Sequence, residues 1–284
     1  MRWLRHHPIV LYLVITFGVT WGAWVPLAAT GHGVTTGFEP VYLLGLLGPL
    51  IGAIATTAIV GTHGLRSLFQ RMVRVRVGLR WWAIALGLPL GAAFLLYAAG
   101  LFAATFGIGH VKGAFGAFNG FPATTPVVLW VMLVVVNGFG EETGWRGYLL
   151  PELQRRWSPL MSSLIVGVVW AAWHIPAFYV SETYRQLPPE MIPMFFVGIL
   201  SGSVFLAWLY NRGGSSILLV AIWHGTFNLF SGSAGARGAL GAIETTVVMA
   251  VAVGLLVQEL RATRRDHAGG HSDHAMAPHP DATS

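Results

Sequence analysis

Residues 191–210 read MIPMFFVGILSGSVFLAWLY and contain no charged side chain. A helix needs about 20 predominantly apolar residues to cross the hydrocarbon core of a bilayer. The stretch is long enough and apolar enough to do so. It must be helical there, because a backbone N–H or C=O group in lipid has no water to bond.

Further apolar blocks of similar length follow one another along the chain. The predicted spans lie at 8–29, 41–61, 81–106, 124–140, 159–179, 191–210, 215–231 and 241–259. Composition agrees, since 55% of the residues are hydrophobic and 10% are charged, whereas soluble domains are about a quarter charged. The predicted fold class is therefore all-α, a polytopic membrane protein with about eight transmembrane helices.

Two regions are expected from the distribution of polar residues. Residues 1–261 are predicted to form a single transmembrane helical domain, and residues 262–284 a disordered cytoplasmic tail. The tail contains His267, His271, His274 and His279. A His-rich tract can bind metal, but irregular spacing of this kind is more typical of a disordered terminus.

The basic residues predict how the chain is oriented. With eight spans and a cytoplasmic N-terminus, Lys112, Arg185 and Arg237 fall outside, and Arg146 lies near a boundary. The other thirteen of the 17 fall inside: Arg2, Arg5, Arg66, Arg71, Arg74, Arg76, Arg80, Arg155, Arg156, Arg212, Arg261, Arg264 and Arg265. This bias follows the positive-inside rule. We therefore expect a multi-pass protein of the cell membrane with both termini cytoplasmic.

Charge and cysteine content exclude several functions. The formal net charge of +6 is explained by a cytoplasmic face beside anionic lipid, so no nucleic-acid partner is predicted. Arg2 and Arg5 resemble the start of a signal peptide, but the apolar stretch that follows is longer than the usual 7–15 residues. The chain has no cysteine, which excludes thiol nucleophiles, thiolate metal ligands and disulfides.

A small set of polar side chains interrupts three of the predicted spans. An ionisable group inside a membrane segment is costly and is by default a candidate functional residue. The set lies in Gly140-Glu-Glu-Thr-Gly-Trp-Arg-Gly147, in Trp170-Ala-Ala-Trp-His-Ile-Pro176 and in Trp223-His-Gly-Thr-Phe-Asn228. Its members are Glu141, Glu142, Arg146, His174, His224 and Asn228.

Helical spacing predicts how these side chains are arranged. Glu142 and Arg146 are four residues apart and can pair on one helix face. Glu141 is rotated by about 100° from Glu142, so it is expected to point into the bundle. The helix that contains His174 is expected to kink beside this residue, because Pro176 has no N–H and leaves the carbonyl of Ala172 without a partner.

Two interpretations of this set remain open. The side chains can hold helices together, and for Glu142 and Arg146 that reading is as good as a chemical one. A carboxylate with two imidazoles also forms an acid/base set, because histidine titrates near neutrality. A proton-coupled transporter would need such groups too, although the internal repeats of many transporters are not evident in this sequence.

The three motifs, taken in order, resemble the CPBP family of intramembrane proteases. They are Glu141-Glu142-x-x-x-Arg146, Trp170-x-x-x-His174 and His224-x-x-x-Asn228. The family includes CAAX prenyl endopeptidases and bacteriocin-processing or immunity (Abi) proteins. The motif-bearing core spans residues 124–231, and Trp170 stands where phenylalanine is commoner in the family.

The resemblance implies an intramembrane endopeptidase with its active site inside the bundle. Glu141 and His174 are then expected to activate a water, and His224 and Asn228 to stabilise the oxyanion. Glu142 and Arg146 would hold the framework. The expected partners are the lipid bilayer and a substrate that is a peptide or a membrane protein. A lipid on the C-terminus of the substrate would attach it to the membrane. A non-catalytic immunity protein of the same fold is an alternative, and the oligomeric state is not predicted.

A metal is not required by this set but is possible. Glu141, His174 and His224 could complete a catalytic zinc site, and members of the family are often called metalloproteases. The sequence has no His-Glu-x-x-His helix, and Asn228 suits an oxyanion better than zinc. The balance favours a metal-free glutamate mechanism in a cavity that opens toward the cytoplasm, close to Arg155 and Arg156.

Overall fold

The protein is a bundle of helices in a computed structural model, which describes residues 6–61, 63–105, 115–236 and 239–272. The helices are α1 (Pro8–Ala29), α2 (Pro40–Leu46), α3 (Gly48–Val60), α4 (His63–Met72), α5 (Leu79–Thr105), α6 (Pro126–Gln154), α7 (Pro159–Trp173), α8 (Ala177–Val180), α9 (Glu182–Arg185), α10 (Ile192–Arg212), α11 (Ile217–Gly232) and α12 (Ala239–Ser272). The described residues contain no strand, only isolated bridges between loops.

Five helical stretches are long and apolar enough to cross a membrane: Pro8–Ala29, Pro126–Gln154, Pro159–Val180, Pro189–Arg212 and Gly241–Gln258. A sixth is formed by α2 and α3 together, which are bent by 53°. The predicted third and seventh spans correspond to shorter apolar stretches, Leu79–Leu95 and Ile217–Gly232. The all-α, polytopic class is confirmed, and the count of about eight stays a prediction.

The connections between helices form two groups. One group contains the connections after α1, α5, α7 and α11, joined by backbone hydrogen bonds from Val34 to Val180, from Gly37 to Phe121 and from Ala234 to Ala117. The other contains the segments after α3 and α10, where a guanidinium N–H of Arg74 donates to the Gly214 carbonyl at 2.6 Å. Connections that are an even number of predicted spans apart therefore contact each other, as helices that cross a membrane in alternation require.

The fourth predicted span differs from the helix that contains it. The sequence places the end of this span at residue 140, whereas α6 continues to Gln154. The continuation is possible because the glutamates and the arginine beyond residue 140 are buried by neighbouring helices rather than by lipid. Two π-helical turns, Val134–Phe139 and Trp145–Leu149, flank the acidic pair. Such turns occur often at functional sites.

The first helix is an integral part of the core. Trp173, at the end of α7, donates its indole N–H to Thr20 Oγ1 at 2.8 Å. Trp24 lies 5.0 Å from the same indole, measured between ring centroids. Both tryptophans are fully buried, so α1 holds the end of α7 in place.

The last helix is longer than predicted. α12 ends at Ser272, which is inside the segment 262–284 predicted as a disordered tail. Residues 258–268 read QELRATRRDHA, and most of these residues favour helix, so the helix can continue past its apolar part. The remainder of the tail, with His274 and His279, lies outside the described residues. So do Arg2, Arg5, Lys112 and Arg237, on which part of the orientation argument rests.

Candidate active site

The acidic pair of α6 is held by a buried ion pair. Arg146 donates from Nη1 to Oε1 of Glu142 at 2.9 Å, and neither side chain has any exposed surface. The pairing is the one that the four-residue spacing predicts. Nδ1 of His224, from α11, lies 2.8 Å from the same Oε1. Glu142 therefore joins α6 to α11 at the centre of the bundle.

Glu141 lies on the other edge of the same imidazole and is held by Trp170. The indole Nε1–H of Trp170 donates to Oε2 of Glu141 at 2.6 Å. The guanidinium carbon of Arg146 lies 4.7 Å from the centroid of the same ring, within the range of a cation–π interaction. One tryptophan therefore contacts both charges of the first motif and connects α7 to α6.

His174 follows the last residue of α7 and has a defined tautomer. Its Nδ1 lies 2.8 Å from the carbonyl oxygen of Trp170, and a carbonyl oxygen only accepts. Nδ1 therefore carries the hydrogen, which leaves Nε2 as the acceptor of a neutral ring. Pro176 interrupts the helix here as expected, but the carbonyl of Ala172 is not free, because the N–H of Ile175 donates to it.

His224 is the imidazole closest to Glu141. Its Nε2 lies 3.8 Å from Oε1 of Glu141, which is too long for a direct hydrogen bond and short enough for one water to bond both atoms. His174 makes no contact of ion-pair length with either glutamate among the described residues. Glu141 was expected to act together with His174, whereas the nearer imidazole is that of His224, in the third motif.

The buried charges are close to balanced. Two carboxylates, Glu141 and Glu142, share the site with one guanidinium, Arg146. An unpaired charge is costly in a poorly solvated site, so one proton on Glu141 or His224 neutralises the cluster.

The two histidines lie on the same part of the bundle. The ring of Trp170 has its centroid 5.7 Å from that of His174 and 5.8 Å from that of His224. Asn228 lies one helical turn beyond His224 on α11 and is half-buried. Its side chain has no hydrogen-bond partner among the described residues, so the amide is free to bond a ligand.

Small residues let the helices that carry the motifs approach closely. A Cβ on Gly225 would lie 2.7 Å from the backbone nitrogen of Val134 and 2.8 Å from its Cα. A Cβ on Gly144 would lie 2.5 Å from the Tyr12 hydroxyl and from Cβ of Pro49. Real Cβ contacts are longer than this, so these positions require glycine for α6 to pack against α11 and α3.

The site lies in the middle of the bundle. Glu141 and Arg155 are separated by fourteen residues of α6, which corresponds to about 20 Å at 1.5 Å per residue. Glu141 is therefore not close to Arg155 and Arg156 as expected, because α6 extends well beyond residue 140, and the opening of the site toward the cytoplasm stays a prediction. On the other side, the ring centroids of Phe195 and Tyr184 lie 5.5 and 6.3 Å from that of His174. Burial raises the pKa of Tyr184 above its usual value, so this phenol stays neutral.

The residues suggested as zinc ligands do not fit a metal site as they are arranged. The described residues include no group of three His, Asp or Glu side chains positioned around a common point. The hydrogen bonds of the two imidazoles do not decide the matter, because each uses Nδ1, to Glu142 and to a backbone carbonyl, and a metal could still bind Nε2. It is their spacing that leaves Glu141, His174 and His224 near one another without forming a three-ligand set.

Two features of the site were missed by the sequence analysis. The first is the hydrogen bond from the Trp170 N–H to Glu141, since Trp170 was considered only as a replacement for phenylalanine. The available signal was a tryptophan at a position where the family commonly has phenylalanine. Of these two side chains, only that of tryptophan has an N–H that can donate a hydrogen bond. The second is the pair of π-helical turns around Glu141 and Glu142, which no sequence pattern that we recognised predicts.

Comparison with known proteins finds similarity to one family of membrane proteases. Residues 122–230 match the family described as "Type II CAAX prenyl endopeptidase Rce1-like". The chain is also 27% identical over 259 residues to "CAAX prenyl protease 2" of Methanococcus maripaludis, an alignment that covers 88% of this chain and 93% of that protein. Both findings support endopeptidase activity in a membrane. Over these residues the chain is similar to the Rce1-like CAAX prenyl endopeptidase family, in agreement with the resemblance that the three motifs carry.

Proposed function

We propose that the protein cleaves a peptide bond near the lipidated C-terminus of membrane-associated proteins, with a water activated by Glu141. The observation that carries the proposal is the arrangement of Glu141. Its Oε2 is held by Trp170 at 2.6 Å, and its Oε1 lies 3.8 Å from Nε2 of His224. One oxygen is thus oriented while the other faces a second polar group across a gap in which a water can be bound.

Glu141 acts as the general base. A base needs its acceptor atom about 2.6–3.2 Å from the proton that it removes, and Oε1 has no direct hydrogen-bond partner among the described residues. The water loses its proton to Oε1 as its oxygen attacks the scissile carbonyl carbon. The same proton then passes to the amine that leaves when the peptide bond breaks. Glu141 is thereby returned to its starting state.

The oxyanion is stabilised by the third motif. His224, whose Nδ1 is held by Glu142, donates from a protonated Nε2, and Asn228 donates from its side-chain amide. A donor to a developing oxyanion contributes roughly 2.7–4 kcal/mol to transition-state stabilisation. His174, with Nε2 as acceptor, binds the attacking water beside Glu141. This assignment retains the roles implied by the family resemblance and adds Glu142 as the group that orients His224.

The substrate class follows from the family and from the bilayer. The relative from Methanococcus maripaludis is named a CAAX prenyl protease, which indicates a prenylated C-terminal motif as the substrate. A site in the middle of an apolar bundle suits a substrate whose lipid is already in the membrane. Neither the transporter nor the non-catalytic alternative is favoured by a specific contact in the site.

The test compares Glu141→Gln with Glu152→Gln in purified protein. Both changes remove one carboxylate from α6, but the Glu152 side chain is partly exposed and binds Arg155. A quenched prenylated CAAX peptide should be cleaved by the wild type and by Glu152→Gln. It should not be cleaved by Glu141→Gln at an unchanged melting temperature. Cleavage by folded Glu141→Gln at the wild-type rate would exclude the mechanism.

A further inference from the structure

A cavity lies away from the active site, at the end of the bundle that is predicted to be cytoplasmic. Its volume is about 720 Å³, within the range of ligand-binding pockets. It is open on one side and is lined by the first turns of α5 and α7, the last turns of α10, and α12. The mechanism proposed above uses none of the residues that line it.

The open end of this cavity is basic. Arg80 and Arg212 line it together with Asn211 and Gln258, and all four side chains are exposed. Among the described residues that line the cavity, none is acidic. Neither arginine forms an ion pair with a described carboxylate, so both charges are available to an anion.

The polarity of the cavity changes with depth. Trp81 and Trp208 lie next to the arginines, with their ring centroids 5.3 Å apart, and Arg80 lies over the Trp81 ring at 4.8 Å. Val204 is eight residues before Arg212 on α10, about 12 Å deeper at 1.5 Å per residue. Along α10, Arg212, Trp208 and Val204 therefore follow one another at intervals of four residues toward the bundle centre, which is the order of groups at a membrane interface.

We propose that this cavity binds an anionic phospholipid of the bilayer. The two guanidinium groups bind the phosphate, because guanidinium and phosphate form paired hydrogen bonds. The tryptophans contact the glycerol region, and Val204 and Leu255 contact the start of the acyl chains. A free phosphate would use the arginines alone and would leave the aliphatic part of the cavity without a ligand.

The experiment measures lipid binding to the full chain by native mass spectrometry in detergent. Phosphatidylglycerol should bind the wild type at least about tenfold more tightly than phosphatidylcholine, and Arg80→Gln/Arg212→Gln should remove most of this difference. The control is Arg66→Gln/Arg76→Gln, which removes two exposed arginines from the same predicted face and should leave the difference unchanged.

Three results would overturn the assignment. Equal affinity of the wild type for the two lipids excludes a site that selects the anionic headgroup. This result is measured on the wild type alone, so it can be obtained even if the double variant misfolds. An equal loss in the control indicates diffuse attraction to the basic surface. Inorganic phosphate that displaces phosphatidylglycerol at comparable concentration indicates a site for a free anion.

Discussion

Trp170 donates its indole hydrogen to Glu141 at 2.6 Å while its ring contacts the guanidinium of Arg146 at 4.7 Å. The glutamate proposed as the base is therefore oriented by a residue of another helix. The same ring covers the arginine that balances the charge of Glu142. The first contact uses the indole N–H and the second uses the ring. A substitution can therefore remove the hydrogen bond and keep the contact with Arg146.

Trp170→Phe keeps an aromatic ring over Arg146 and removes the hydrogen bond to Glu141. A hydrogen bond to a charged group contributes about 1.5–3 kcal/mol, so we expect kcat to fall by roughly tenfold to a hundredfold with a smaller change in KM. The control is Trp130→Phe, which removes an indole donor to Thr226. Wild-type kcat in Trp170→Phe would show that the bond does not orient the base.

Arg146→Ala leaves Glu142 buried without its cation. Breaking a buried ion pair costs about 3–5 kcal/mol, so the yield of folded protein and its melting temperature should both fall. Arg155→Ala is the matched control on the same helix, because its bond to Glu152 is exposed and such pairs contribute about 0–1 kcal/mol. Size-exclusion profiles and thermal unfolding in detergent make the measurement. If Glu142→Gln/Arg146→Met is no more stable than Arg146→Ala, charge imbalance is not the cause.

Gly225→Ala should push α11 away from α6. The new Cβ would meet the backbone of Val134 at 2.7–2.8 Å, and backbone cannot move aside as a flexible side chain can. Overpacking typically costs about 1–3 kcal/mol, and the adjacent His224 should move relative to Glu141, so activity should fall as well. Gly254→Ala has no atom within 4 Å of the new Cβ and should be neutral or slightly stabilising. Equal thermal stability of the two variants would contradict the close approach of the helices.

Chelation tests the metal-free mechanism. Because Glu141, His174 and His224 do not form a three-ligand set, we expect activity to survive dialysis against a strong chelator. Metal analysis of the active protein should give much less than one equivalent of zinc. Activity that is lost on chelation and restored by zinc alone would refute this prediction.

Reporter fusions test the orientation of the chain. The excess of arginine on one side predicts that a fusion after Gly33 is outside the cell and one after Gly214 is inside. Arg74 lies against Gly214 at 2.6 Å, so that end of the bundle carries part of the basic excess. A cytoplasmic signal from the Gly33 fusion would reverse the layout.

Much of this molecule could be predicted from the sequence. Apolar stretches such as 191–210 have one stable arrangement in lipid, because only internal hydrogen bonds satisfy the backbone there. The pairing of Glu142 with Arg146 was also predictable, since four residues on a helix bring two side chains together whatever surrounds them. The family followed from three local motifs, each of which depends on spacing within a single helix.

Relationships between helices were not accessible in this way. Which imidazole approaches Glu141 depends on how α11 and α7 pack against α6, and that packing depends on glycine contacts such as Gly225 with Val134. The bond from Trp170 to Glu141 joins residues 29 positions apart, and no local spacing encodes it. The position of the site in the bundle was mistaken because charged residues beyond 140 seemed to end a span. Partners on other helices remove the free-energy cost of placing these charges away from water. Those contacts form only when the chain has folded.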